Sequence, residues 1–365
     1  MEVVIDCYFD KLFAEMERNC LSSRHKRRQL VNYFSDVINS YITRDDVCER
    51  IVQAALRFHN ISMSDNGSVC LLGKFHNVLY VAAKLCYDWN LSNNEIVSRL
   101  LNDIYYCEQT FERIFVGAIF GTRVTHFLSG WKSDFDDRDE NLKALVYFMD
   151  HAIAARLQYR CQISNLKRRF IDVPMESYGQ VLPLRVAIQH GSPDILQVML
   201  RYGASTESDK LAPSPMEILL TRLNEFEIDR ETAEIPQHLI TCLRLLLRTV
   251  PNACVRTPSH IAEQCGIESV PLHEQYPNLV ERKLVPPDRS GLSPPELRHL
   301  CRCRIRESLF DNWALPHGIR TLQIPESLRD YLDLRGLDEG RFMGVRYWIA
   351  KMILGVGGEL GKMGE

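Results

Sequence analysis

The sequence predicts an all-α protein, and three observations carry that expectation. Apolar residues recur at helical spacing from the N terminus onward, as in Leu12, Phe13 and Met16 and again in Val78, Leu79, Val81, Ala82 and Leu85. Proline is absent until Pro174, so no ring interrupts a helix in the first 170 residues. The stretch "VLPLRVAIQHGSPDILQVMLRYGAS" (181–205) reads as two short helices around a Gly-Ser-Pro break. These divide the chain into a helical region at 1–170, a repeat-like region at 171–285, a C-terminal helical unit at 286–334 and a flexible tail at 335–365.

Within the first region, "SMSDNGS" (62–68) and "LSNNE" (91–95) are read as turns or helix starts, because Asn, Ser, Asp and Gly satisfy exposed helix-end groups. "SRHKRR" (23–28) is read as a solvated helix face rather than a nucleic-acid patch. The 181–205 unit is followed by a degraded copy, with helices expected at 214–223 and 239–249 and an inserted loop between them. A third start is read at "TPSHIAEQC" (257–265), and "NVLYVAAKLC" (77–86) hints at further diverged copies upstream. "YPNLVERKLVPPDRSGLSPP" (276–295) reads as a linker. Near the end, "VRYWIAKMIL" (345–354) is expected as a short helix ahead of a Gly-rich tail.

Composition excludes several functions. The 365 residues are 45% hydrophobic and 25% charged with a net charge of -3, so no basic field draws the chain onto nucleic acid or a membrane surface. The best apolar run, "IFVGAIFG" (114–121), is bracketed by Arg113 and Arg123 and is far shorter than the roughly 20 residues a bilayer requires. Twelve cysteines are scattered along the chain, and acidic Glu2 and Asp6 stand where a signal peptide carries its basic residues. The expectation is a reduced protein of the cytoplasm, with the nucleus as a second compartment.

Enzyme signatures fail on spacing. Gly355, Gly357 and Gly361 miss the dinucleotide-binding register by one residue, and Met363 stands where a phosphate-binding loop needs Ser or Thr. The acidic run "SDFDDRDEN" (133–141) places Arg138 and Asp139 where a calcium loop needs a ligand and a glycine, so it reads as a solvated loop. Neither Cys254, His260 and Cys265 nor His299, Cys301 and Cys303 contains the paired spacing of a zinc site. No catalytic residue, cofactor or metal is expected.

The segment "PPELRHLCRCRIRESL" (294–309) carries the sharpest signal. Leu297, Cys301, Ile305 and Leu309 lie four apart on one helix face with Leu300 beside them, while Arg298, Arg302, Arg304 and Arg306 project elsewhere. Pro294 and Pro295 confine the start of the helix, and Ser293 is its expected cap. A narrow apolar stripe that begins abruptly after a linker suggests a helix made to be held by another protein.

The residues from Leu292 to Leu334 resemble the SOCS box, whose first part reads Leu-x-x-x-Cys-x-x-x-aliphatic, here Leu297, Cys301 and Ile305. Its second part is matched by "LQIPESLRDYL", with Leu322, Ile324, Pro325, Leu328, Tyr331 and Leu332. The unit at 181–205 resembles an ankyrin repeat through Pro183, Leu184, Ala187, His190, Gly191, Leu196, Leu200, Gly203 and Ala204, with Arg185 in place of the usual histidine. Together they are similar to the ankyrin repeat and SOCS box family, in which 286–334 would be a three-helix box.

That resemblance implies an Elongin B/C partner, with Leu297 entering a pocket of Elongin C, Cys301 and Ile305 packing behind it and Leu300 bracing the box. It further implies that Leu322, Ile324, Pro325, Leu328 and Tyr331 help dock Cullin-5 with its RING protein, in a ubiquitin ligase that takes its protein substrate from this chain. Gln323 departs from the family's first proline in the second motif. The alternative function is an ankyrin-type interaction scaffold without ligase activity.

Overall fold

A computed structural model describes residues 2–16, 20–70, 75–122, 132–163, 165–207, 213–228, 235–251, 254–256 and 269–335. Among the described residues the N-terminal region holds seven helices: α1 (Glu2–Ala14), α2 (Arg24–Asn39), α3 (Arg44–Ser64), α4 (Val78–Asp88), α5 (Asn94–Glu108), α6 (Glu112–Phe120) and α7 (Arg138–Ala154). The expected breaks fall where they should. α3 ends in the turn at 65–68, and the Asn93 side chain caps α5 by accepting from the Glu95 and Ile96 amides.

Helix does not run unbroken to residue 170. A short antiparallel hairpin, β1 (Gln158–Arg160) with β2 (Lys167–Arg169), intervenes. It is held by aromatic packing: Tyr159 lies 4.5 Å from Tyr105, Phe170 lies 4.5 Å from Phe111, and the Tyr105 hydroxyl donates to the Arg160 carbonyl.

The repeat-like region forms α8 (Pro183–His190), α9 (Pro193–Arg201), α10 (Pro215–Ile228) and α11 (Gln237–Leu247). Pro183 and Pro193 sit in the first turns of α8 and α9, where a missing amide hydrogen costs nothing. Gly191 ends α8 at φ +74°, and a Cβ there would lie 2.7 Å from the His238 ring, so both backbone and neighbour demand glycine. α9 packs on α11 and α8 on α10, while α6 packs against α8 and ties the first region to the repeats. One continuous core runs from Phe9 through Leu100, Phe148 and Leu196 to Leu334. The degraded copy is therefore a helix pair, with its first helix longer than expected by the residues up to Ile228.

β3 (Cys254–Arg256) pairs with β4 (Ser269–Pro271). Three single-turn helices follow, α12 (Leu272–Gln275) just before the expected linker and α13 (Pro277–Glu281) and α14 (Pro287–Ser290) within it. The C-terminal unit is α15 (Leu297–Asp311), a 3-10 turn (His317–Thr321) and α16 (Glu326–Leu332). The expected starts at 257–265 and 345–354 and the tail lie outside the described residues. Among the described residues no helix is long and apolar enough to cross a membrane.

Two surface readings need correction. Arg27, expected on a solvated face, is 1% exposed, and Asp134, expected in a solvated loop, is 2% exposed; they pair at 2.7 Å. Arg27 also donates to the carbonyls of Leu21, Ser22 and Lys132, and Asp137 caps α7 through the Glu140 amide. Arg27 and Asp134 thus join the two runs inside the protein, while Ser23, His25 and Lys26 of the one and Asp136, Asp137 and Asp139 of the other stay exposed as expected. Replacing Arg27 with Ala strands the buried Asp134 carboxylate, and the expected loss is about 3–5 kcal/mol of unfolding free energy in urea titration.

Candidate docking surface at residues 292–334

Gly291, at φ +90°, turns the chain out of α14, and the two prolines hold it extended into α15. The N-cap is Glu296 rather than Ser293: the Glu296 carbonyl accepts from the His299 and Leu300 amides, and no side chain caps the helix. A 15-residue helix without a cap takes its stability from packing, and its packing is inverted.

The polar face is the buried one. His299, Arg302 and Arg306 are 0%, 3% and 7% exposed. The Arg306 guanidinium donates to the Leu332 carbonyl at 2.8 Å and to the Leu200 and Arg201 carbonyls at the end of α9. His299 Nε2 donates to the Val250 carbonyl at 2.8 Å while its Nδ1 accepts from Arg302, an arrangement only the neutral ring can make. Burial lowers the His299 pKa, which favours that neutral ring, and pushes Arg302 and Arg306 down to about 10, where both stay charged at neutral pH. Tyr331 of α16 lies under Arg298 and Arg302, 4.1 and 4.2 Å from its ring centre.

Further contacts cross between the repeat and this unit. Arg201 of α9 makes a two-pronged pair with Asp333, at 2.9 and 2.6 Å. Arg169 lies over the rings of Phe310 and Trp313 and donates to the Phe310 carbonyl. Gly203, which closes the ankyrin-like unit at φ +83°, is the floor on which Phe310 rests: a Cβ there would lie 2.5 Å from the Phe310 ring.

The opposite face is apolar and open. Leu297 is 76% exposed, Leu300 and Ile305 are partly covered at 37% and 38%, and Cys301 is exposed. Leu292 and Leu328 extend the same character to flanking residues. The structure thus leaves Leu297, Cys301 and Ile305 at the surface, together with Leu300, the residue expected to brace the box. Those expected to contact a cullin divide: Pro325 and Leu328 are exposed, whereas Leu322 and Ile324 are half-buried against Leu315, Ile319 and Leu332, and Tyr331 is engaged by the two arginines.

Sequence reasoning did not anticipate His299, Arg302, Arg306, Arg201 or Asp333 as the docking contacts. One signal was available, since Arg298, Arg302 and Arg306 repeat every four residues, as the apolar stripe does. His299 and Cys303 are neighbours at 3.7 Å, but Cys301 faces outward, so these three do not form a metal site; His260 and Cys265 lie outside the described residues.

Residues 293–333 match the SOCS box family model. The chain is 31% identical over 180 residues to the dog protein named "Ankyrin repeat and SOCS box protein 17", covering 48% of this chain and 57% of that one. The mouse and human proteins of that name match over the same shares at 32% and 31% identity. The chain therefore spans a little over half the length of the curated relatives it matches. No solved structure matches it significantly. The resemblance to the ankyrin repeat and SOCS box family thus rests on the C-terminal box and on about half of the chain.

Removing the Arg306 guanidinium by Arg306→Ala is expected to cost about 1.5–3 kcal/mol at the docking joint. Amide exchange should then accelerate across 297–332 while α3 keeps its protection.

Proposed function

We propose that this chain is the substrate-recognition subunit of an Elongin B/C and Cullin-5 ubiquitin ligase, recruiting a protein target for ubiquitination and degradation. The observation that carries the reading is the outward stripe of Leu297, Leu300, Cys301 and Ile305 on a helix whose arginine face is already engaged. Fully burying each large apolar side chain of such a stripe gains about 1.5–3 kcal/mol, so an interaction site accounts for a patch that is unfavourable in water. The SOCS box match over 293–333 supplies the class of partner.

The chain performs no chemistry in this reading. Binding substrate and the ubiquitin-carrying arm on one scaffold raises their effective concentration and turns a bimolecular transfer into a nearly intramolecular one. Substrate would contact the helix pairs around 181–275 or the helices before them, as stacked repeats bind through extended surfaces. The cytoplasm is the proposed compartment, with the nucleus second, in keeping with free cysteines throughout the described residues.

Co-expression with Elongin B, Elongin C and Cullin-5, followed by affinity purification, tests the proposal. Wild type should recover all three. Leu297→Asp should lose them while keeping the wild-type circular dichroism spectrum and melting temperature, because Leu297 makes so little contact with the rest of the fold. If folded wild type recovers no Elongin, the ligase reading is wrong.

Gln323 favours one alternative, a scaffold that has lost its cullin. Gln323 is exposed beside Leu322 and Ile324, at the position of the family's first proline. Recovery of Elongin B/C without Cullin-5 would select that reading. In either case Gln323→Pro should raise the recovered Cullin-5 relative to Elongin and leave Elongin itself unchanged.

A further inference from the structure

Far from the box in sequence, four side chains converge with the chemistry of a metal site. His59 lies on α3, Cys70 in the loop after it, His76 in the 3-10 turn (Phe75–Asn77) before α4, and Cys107 near the end of α5. One ligating atom from each comes within 4.8 Å of all the others. His59 Nε2 is 3.5 Å from Cys70 Sγ and 3.4 Å from Cys107 Sγ, and Cys70 Sγ is 3.4 Å from His76 Nδ1.

These separations are the edges of a coordination polyhedron. With zinc bonded at about 2.3 Å to sulfur and 2.0–2.1 Å to nitrogen, the sulfur-nitrogen edge of a tetrahedron is about 3.5 Å. Ordinary hydrogen bonding explains the cluster less well. Cys70 Sγ faces two imidazoles and His59 Nε2 faces two sulfurs, yet each thiol has one proton to give. Both cysteines are free thiols in the structure.

The surroundings prepare one ligand independently. His76 is 1% exposed, and its Nε2 lies 2.5 Å from Glu108 Oε1. Glu108 is in turn held by the Tyr80 hydroxyl at 2.9 Å and by Arg113 at 3.3 Å. A carboxylate on Nε2 fixes the proton there and leaves the Nδ1 lone pair facing the Cys70 sulfur, the outer-shell arrangement that orients metal-binding histidines. A surface cleft lined by His59, Met63, Asn66, Cys70 and Phe75 gives an ion a path inward.

We propose that His59, Cys70, His76 and Cys107 bind a single structural Zn²⁺ that fastens the loop after α3 to α3 and α5. Two thiolates and two imidazoles in a tetrahedron are a donor set suited to zinc, and four protein ligands leave no position for substrate. The site joins elements that the chain otherwise connects through 10, 5 and 30 intervening residues, spacings that match no zinc motif. It is independent of the ligase reading, since none of its ligands belongs to the box.

The full chain, expressed with zinc and dialysed, should carry about one zinc per chain by elemental analysis. Chelator should remove it with a fall in melting temperature that added zinc reverses, and Co²⁺ in its place should show the visible bands of a tetrahedral thiolate site. Cys107→Ser should lower zinc content about tenfold or more, whereas Cys301→Ser should leave it unchanged. Glu108→Gln should weaken zinc about 10–100-fold in competition with a chromogenic chelator. Wild type without zinc and indifferent to chelator overturns the proposal whether or not the variants fold. A two-dalton mass loss with Cys70 and Cys107 recovered as a disulfide peptide also overturns it.

Discussion

The burial of Arg306 is the interaction on which the C-terminal arrangement depends. Its guanidinium meets the Leu200 and Arg201 carbonyls in the last turn of α9 and the Leu332 carbonyl at the end of α16. Carbonyls at a helix end lack intrahelical partners and carry the negative pole of the helix, so a cation placed there satisfies both the hydrogen bonds and the charge. Arg201 reaches the other way, from the repeat to Asp333 of the box. A buried ion left without partners costs several kcal/mol, so this crosswise exchange fixes the register between repeat and box: a slip of one turn would strand both guanidinium groups.

The direction of everything else on α15 follows. With His299, Arg302 and Arg306 turned inward, Leu297, Cys301 and Ile305 are left facing outward. The apolar stripe is exposed because the polar stripe is needed for docking. Tyr331 shows the same constraint. Because Arg298 and Arg302 cover its ring, it holds α16 to α15, and Pro325 and Leu328 are left on the open side.

What the sequence made legible was local. The breaks at 62–68 and 91–95, the helix pair at 181–205 and the box helix were readable because each depends on neighbours within about one turn, although the cap of the box helix falls on Glu296 rather than Ser293. The Arg27–Asp134 pair joins residues 107 apart, and each half lies in a charge run whose composition looks like solvated surface. The β1–β2 hairpin has only three residues per strand, and "KRR" shows no apolar alternation, so nothing in it outweighed the helical pattern upstream. His59, Cys70, His76 and Cys107 come from four separate elements, and a search by motif spacing sees only donors that are close in sequence.

The box helix shows why periodicity alone was insufficient even where the helix was certain. Leu297, Cys301 and Ile305 repeat every four residues, and so do Arg298, Arg302 and Arg306, displaced by one position around the same cylinder. Hydrophobicity alone would bury the first stripe and solvate the second. The decision rests with the receiving surface. The end of α9 offers carbonyls, Val250 offers another, and Gly203 offers a flat floor for Phe310. An apolar stripe set against those carbonyls would take their side-chain donors away, leaving Leu200 only its bond from the Gly203 amide, and each acceptor left unsatisfied costs about 1–3 kcal/mol. The arginine stripe satisfies them and releases the leucines to the surface. Which face of an amphipathic helix is the inside is therefore a property of the pair of surfaces, and only one member of that pair is written in the helix itself.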